Sequence, residues 1–188
     1  MKKRTHTHPK AGFNRIIQYG AMIVVILLAI AALLMVIIAL GDAPDGFILI
    51  AFVTILLAFP LMMLTTIAPA VTVAEDGMTL HPVVWKELTI GWQEITHIAE
   101  FPLLPSEDAE VMRKITVGRI KYRPAQGIML VIPTLPVQYR IAGFFAGTGG
   151  KPITALTNRA HTDYDQLMKT ILQHTDSAMH DEDLIDAG

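Results

Sequence analysis

Cysteine is absent from this chain of 188 residues, and its absence excludes several kinds of chemistry. Without a thiol the chain forms no disulfide, no thiolate metal site, no iron–sulfur cluster and no cysteine nucleophile. Charge is also scarce, since only 17% of the residues are charged while 52% are apolar. Average soluble domains hold about 25% charged residues, so this composition favours a membrane protein.

Two long apolar segments lie within residues 16–70, where the only charged residues are Asp42 and Asp45. The first segment, residues 20–40, spans about 31 Å as a helix, which matches the hydrocarbon core of a bilayer. The second, residues 47–68, is similar in length and contains one proline, which a membrane helix tolerates. We expect two transmembrane helices joined by a short external loop. A secretory signal peptide is the alternative for the first segment, but its apolar part is about 7 to 15 residues long.

The charges that flank these segments predict how the protein is oriented. Residues 1–15 form a basic tail without an acidic residue, and its bases are Lys2, Lys3, Arg4, Lys10 and Arg15. The only charged residues in the loop between the two segments are aspartates. Basic flanks stay in the cytoplasm, so we expect a multi-pass protein of the cell (inner) membrane with both termini cytoplasmic.

Residues 71–175 have the length and the charge balance of one small soluble domain. An alternating segment, Val71–Ala74, meets Asp76-Gly77, which is a strong hairpin signal. Further short strands are predicted at 83–85, 88–92, 95–101, 115–123 with a bulge at Gly118, 128–132, 137–141 and 153–157. From Thr162 the apolar period changes to that of an amphipathic helix, with Thr162 and Asp165 placed as a capping box. We expect the acidic tail, residues 176–188, to be disordered.

Three short segments in this order resemble the bacterial pleckstrin-homology-like (PH-like) membrane proteins. They are Val73-Ala74-Glu75-Asp76-Gly77, Ile90-Gly91-Trp92-Gln93-Glu94-Ile95 and Leu156-Thr157-Asn158, the last standing just before the helix. The resemblance implies a membrane α-hairpin followed by a mainly-β domain, a seven-stranded and strongly bent antiparallel barrel capped by a C-terminal α-helix. It implies no enzyme activity. The chain lacks the tryptophan that eukaryotic relatives have in the last helix and an evident basic phosphoinositide loop, so no headgroup specificity follows.

Several motifs that carry chemistry in other proteins have a simpler interpretation here. Residues 147–151 contain glycines before a lysine, but Phe145 and Pro152 occupy positions that a phosphate loop needs for glycine and for serine or threonine. We therefore expect a hairpin turn there. His6 and His8 have the spacing of two metal ligands on a strand, yet we expect solvated histidines on a disordered tail. Trp85 and Trp92 are expected in a core or an interface rather than in a ligand site. We predict no metal and no cofactor.

The densest basic run of the domain consists of Arg113, Lys114, Arg119, Lys121 and Arg123. Contact with anionic lipid or with an acidic partner is one interpretation. A solvated strand face is the other, with Glu107, Asp108 and Glu110 close enough to neutralise the charge. Nucleic-acid binding is not expected, because acidic and basic residues balance and no reader motif is present.

These features together predict a membrane anchor that carries a non-catalytic binding or scaffolding module. Its partners are the lipid bilayer and another membrane or membrane-associated protein, and the oligomeric state stays open. The alternative is an accessory or assembly subunit of a larger membrane complex, in which the transmembrane hairpin makes the main contacts. An enzyme is the third possibility, without a supporting motif.

Overall fold

The computed structural model describes residues 3–41, 46–104 and 124–175, together with Glu110 and Ile115. Four α-helices are described in full: α1 (Ala11–Ala39), α2 (Gly46–Leu64), α3 (Val137–Phe145) and α4 (Tyr164–His174). Seven strands are described: β1 (Arg4–His6), β2 (Ala70–Val73), β3 (Gly77–His81), β4 (Leu88–Gly91), β5 (His97–Glu100), β6 (Gly127–Val131) and β7 (Ile153–Thr157). A 3₁₀ helix, Trp92–Glu94, follows β4.

Helices α1 and α2 pack against each other and are long and apolar enough to cross a membrane. They contain 29 and 19 residues, which corresponds to lengths of about 43 and 28 Å. Only 6% of the most apolar window of each helix is buried, so neither is the core helix of a soluble fold. Large apolar side chains such as Leu27, Ile30 and Phe52 are exposed instead.

Helix α1 begins at Ala11, well before the residue 20 predicted from the apolar run. Antiparallel packing leaves the first turns of this longer helix, residues 11–19, beyond the end of α2. Asn14 and Gln18 lie one turn apart on these turns and form a half-buried to buried polar stripe, while Phe13, Ile16 and Ile17 are exposed. This extension brings the start of α1 alongside the β domain.

Sheet A is antiparallel with the strand order β1-β2-β3-β4. The hairpin predicted around Asp76-Gly77 is confirmed, because β2 and β3 pair with Val73 opposite Met78. The disordered tail predicted for the N-terminus is wrong from Arg4 to His6, since this segment pairs with β2 and places His6 opposite Val71. An unpaired edge of β2 would expose a row of backbone donors and acceptors, and β1 covers it.

Sheet B is antiparallel with the order β5-β6-β7. The main core lies between the two sheets and α4, with Leu80, Leu156 and Leu167 fully buried. A second apolar cluster lies between sheet B, α3 and the end of α2. Met63 and Ile67 pack against this cluster. The chain that leaves α2 also joins sheet B directly, because the backbone N–H of Ala155 donates to the Ile67 carbonyl at 2.7 Å. Among the described residues the strands form these two sheets, and a closed barrel is not seen.

The strand predicted for residues 137–141 is wrong, because this segment is the first half of α3. Tyr139, Ala142 and Gly143 are its buried residues, which is the spacing of one helical face. The helix approaches the following turn so closely that a Cβ atom on Gly143 would lie 1.8 Å from the Lys151 carbonyl oxygen. The alternation of Val137–Ile141 predicted a strand. This local pattern carries no information about the tertiary contact that Gly143 makes.

Two further predictions in the domain need correction. Residues 83–85 form no strand. The capping box at Thr162 is also wrong, because Asp163 precedes α4 in a left-handed conformation (φ 52°) and makes no side-chain cap. The Thr162 hydroxyl instead accepts a hydrogen bond from the Thr7 backbone. The amphipathic helix itself is confirmed, with Leu167 and Ile171 buried.

Candidate functional site

A cleft of about 430 Å³ lies where α1 meets sheet A, and we name it the junction cleft. One wall comes from the first turns of α1, and the other comes from β1, β2, the end of β3 and the segment that leads from α2 into β2. The residues that line it are Thr5, Thr7, His8, Ala11, Asn14, Arg15, Gln18, Tyr19, Pro69, Ala70, Thr72, His81, Pro82 and Val83. No acidic residue is among these described lining residues, so Arg15 is the only permanent charge on the cleft wall.

A chain of hydrogen bonds crosses the sheet wall of the junction cleft. The Thr5 and Thr72 hydroxyls lie 2.9 Å apart, and Thr72 Oγ1 is 2.8 Å from His81 Nε2. The other ring nitrogen of His81, Nδ1, lies 2.8 Å from Glu87 Oε1. This order of hydroxyl, imidazole and carboxylate can relay a proton. Because β2 is paired on both sides, its backbone N–H groups serve the sheet.

Gln18 is the polar group of the cleft that most needs a ligand. Its side chain is only 4% exposed, and its Oε1 accepts no hydrogen bond from any residue that the structure describes. A buried amide oxygen without a donor costs about 1–3 kcal/mol, so this position favours a molecule that supplies an N–H or O–H group. Sequence reasoning missed Gln18, although its spacing of four from Asn14 was a visible polar stripe ahead of the apolar run.

His161 holds the segment on which the cleft is built. It is 2% exposed, its Nε2 donates to the Pro69 carbonyl at 2.9 Å, and its Nδ1 accepts the Thr157 N–H at 3.2 Å. Burial lowers the pKa of His161 from its usual 6.5, and both hydrogen bonds suit the neutral ring. Pro69 lines the cleft, so this histidine fixes the exit from α2 against β7 and α4.

The N-terminal strand is fixed from the same side. His6 Nδ1 donates to the Thr162 carbonyl at 2.8 Å, and the Thr162 N–H donates to the Thr7 carbonyl at 3.0 Å. His6 is 2% exposed, so the solvated histidine predicted at this position is wrong. His8 Nδ1 accepts the Lys10 N–H at 3.0 Å, and burial lowers the His8 pKa. No group of three or more potential metal ligands occurs within the described parts of the chain.

The residues predicted to set the topology fall into different places. Arg4 pairs with Asp163 at 3.1 Å and also bonds Gln166, whereas Arg15 lines the junction cleft and forms no ion pair with a described residue. Lys3 and Lys10 are exposed. Lys2 lies outside the described residues.

The predicted basic run of the domain also lies outside the described residues, together with the predicted bulge at Gly118. Its members are Arg113, Lys114, Arg119, Lys121 and Arg123. Glu110, expected to offset that run, forms an ion pair with Arg159 at 3.1 Å.

Both tryptophans occupy structural positions, as predicted. Trp92 is buried in the main core, where Nε1 donates to the Glu75 carbonyl and the ring stacks on His174 with centroids 4.9 Å apart. Trp85 is half-buried and donates from Nε1 to the Thr65 hydroxyl at 2.9 Å, which ties the loop after β3 to the end of α2. The glycine-rich segment at 147–150 is a turn with three glycines at positive φ, but it joins α3 to β7, so the predicted hairpin turn is wrong.

A second and more open groove of about 710 Å³ runs along α4 beside Glu100 and Gln126. None of the described residues that line it carries a buried polar atom without a partner. Nothing in its lining calls for a ligand in the way that Gln18 does. The junction cleft is therefore the stronger candidate for a binding site.

Comparison of the chain with protein-family models, with curated proteins and with solved structures finds no match.

Acidification from pH 7.5 to 5.5 is expected to destabilise the protein through His161. Below about pH 6.5 the unfolded chain binds a proton at this histidine that the folded chain excludes, so stability falls by at most about 1.4 kcal/mol per pH unit. Thermal unfolding in detergent, measured on the unaltered protein and on His161→Gln, checks this. The variant should be less stable at pH 7.5 but should lose less stability on acidification, and equal pH slopes for the two proteins would contradict the assignment.

Proposed function

We propose that the chain is an inner-membrane protein whose PH-like domain acts as a non-catalytic binding or scaffolding module at the cytoplasmic surface of the bilayer. The observation that carries the proposal is that the two apolar helices are inserted between two neighbouring strands of sheet A. Strand β1 enters α1, β2 leaves α2, and the two strands are hydrogen-bonded neighbours. The domain therefore sits at the base of the two apolar helices instead of on a flexible linker, and such tethering raises its effective concentration towards other membrane proteins.

The apolar surface supports a membrane location. The exposed aliphatic and aromatic side chains of α1 and α2 form a contiguous surface that water solvates poorly. Helix α3, which contacts α2, adds Val137 and Phe144, exposed at 68% and 70%. Their exposure on a helix that contacts α2 suits a bilayer surface at that level.

The order of elements supports the PH-like assignment. Antiparallel strands are followed by one amphipathic helix, α4, which closes the main core with Leu167 and Ile171. Three features depart from the arrangement that the resemblance implies. The described strands form two sheets and not a closed barrel, the first strand comes from the segment before the apolar helices, and α3 replaces a predicted strand. A binding role fits this scaffold, since the junction cleft offers hydroxyl, amide and imidazole groups together with one cation.

The described bases of the N-terminal segment lie on the domain side of the helices, and Asp42 and Asp45 fall between α1 and α2 in the sequence. This distribution predicts cytoplasmic termini. A reporter that works only in the cytoplasm, fused after Gly188, should be active, and one that works only outside the cell should be silent. The reverse result would overturn the orientation while leaving the membrane anchor in place.

Affinity capture of the intact protein from its own membrane, read by mass spectrometry, should recover a protein partner that depends on the domain. A variant in which residues 22–60 are replaced by an unrelated transmembrane hairpin of equal length should retain that partner, because the domain and the first turns of α1 are unchanged. A matched variant keeps the native helices and carries the substitution Phe144→Asp. If the helix replacement loses the partner and Phe144→Asp keeps it, the binding module is contradicted and the accessory-subunit alternative is supported.

A further inference from the structure

The depth of the junction cleft in the proposed membrane frame is set by α1. Gln18 and Tyr19 directly precede Gly20, where the uninterrupted apolar run begins. Tyr19 is half-exposed, as is usual for a tyrosine in the interfacial layer of a bilayer. The cleft therefore opens at the level of the lipid headgroups, and an acyl chain that leaves it meets the apolar surface of α1 and α2.

The lining of the cleft matches a zwitterionic or anionic headgroup. Arg15 offers a guanidinium without an ion-pair partner among the described residues, and guanidinium groups bind phosphate oxygens strongly. Arg15 and Gln18 are three residues apart on α1, so they lie about one helical turn apart. At this spacing they can flank one headgroup. The buried Gln18 Oε1 requires a donor, which phosphate does not supply at neutral pH but an ammonium or a hydroxyl does.

We propose that the junction cleft binds a phospholipid whose headgroup carries N–H or O–H donors, with Arg15 on the phosphate and the buried Gln18 amide turning towards the cleft so that Oε1 accepts from the headgroup. Phosphatidylethanolamine fits this description, and phosphatidylcholine does not, because its quaternary ammonium has no N–H. The assignment rests on the proposed membrane function, since it needs α1 to stand in a bilayer.

Native mass spectrometry of the full-length protein in detergent tests this directly. Phosphatidylethanolamine, its mono- and dimethylated forms and phosphatidylcholine, all with the same acyl chains, remove the donors one at a time without changing the protein. We expect about a tenfold weaker affinity for phosphatidylcholine than for phosphatidylethanolamine, equivalent to about one lost hydrogen bond to a buried group. Equal affinities across the series would overturn the proposal.

Three variants assign the contacts. Gln18→Met keeps the length of the side chain and should bring the ethanolamine-to-choline affinity ratio close to one. Arg15→Gln should weaken all four lipids by a similar factor. Gln93→Met, an exposed change that lies outside the cleft lining, is the control and should leave the ratio unchanged. An unchanged ratio in Gln18→Met would show that this side chain does not read the headgroup and would overturn the assignment.

Two further measurements separate the possible sources of failure. Water-soluble phosphoethanolamine should bind far more weakly than the lipid, and equal affinity would replace the lipid with a soluble ligand. Extraction of membranes with alkaline carbonate tests the anchor itself. A protein that stays in the membrane but shows no headgroup preference refutes only this inference, whereas a protein that is released refutes the proposed function as well.

Discussion

The pairing of β1 with β2 is the constraint on which the rest of the structure depends. Strand β1 precedes α1 and strand β2 follows α2. Their hydrogen bonds therefore hold the segment that enters α1 and the segment that leaves α2 in one sheet. His161 strengthens this closure because it bonds Pro69 on the returning segment, and His6 strengthens it because it bonds Thr162 beside α4. Two buried imidazoles thus connect the base of the helices to the core of the domain.

This closure also creates the junction cleft. Since β1 lies at the edge of sheet A and runs within a few residues into α1, the first turns of the helix must stand beside the sheet. Thr5, Thr72 and His81 then face Asn14 and Gln18 across a polar space. The cleft is a consequence of the strand pairing and the extra length of α1, and its polar character comes from residues that lie just outside the apolar run.

Features encoded locally were predictable from the sequence. The apolar runs predicted helices long enough to cross a membrane, Asp76-Gly77 predicted the hairpin, and the period of Leu167 and Ile171 predicted α4. Features fixed by distant contacts were not. His161 and Pro69 are 92 residues apart, which leaves no local signal. Strand β1 has only three residues, of which only His6 is buried, so it carries no apolar pattern of its own. In α3 the alternation of residues 137–141 suggested a strand, and only the buried face that includes Gly143 shows the helix.

In this fold, residues before the two apolar helices belong to the domain that follows them. Replacing residues 11–60 by a short Gly-Ser linker turns β1 and β2 into an ordinary hairpin and should give a folded domain that needs no detergent. A matched variant that begins at residue 61 lacks β1, His6 and their contacts with Thr162. The account predicts a melting temperature lower by at least about 8 °C for the second variant, equivalent to about 1–2 kcal/mol in a domain of this size. Equal melting temperatures for the two variants would contradict it.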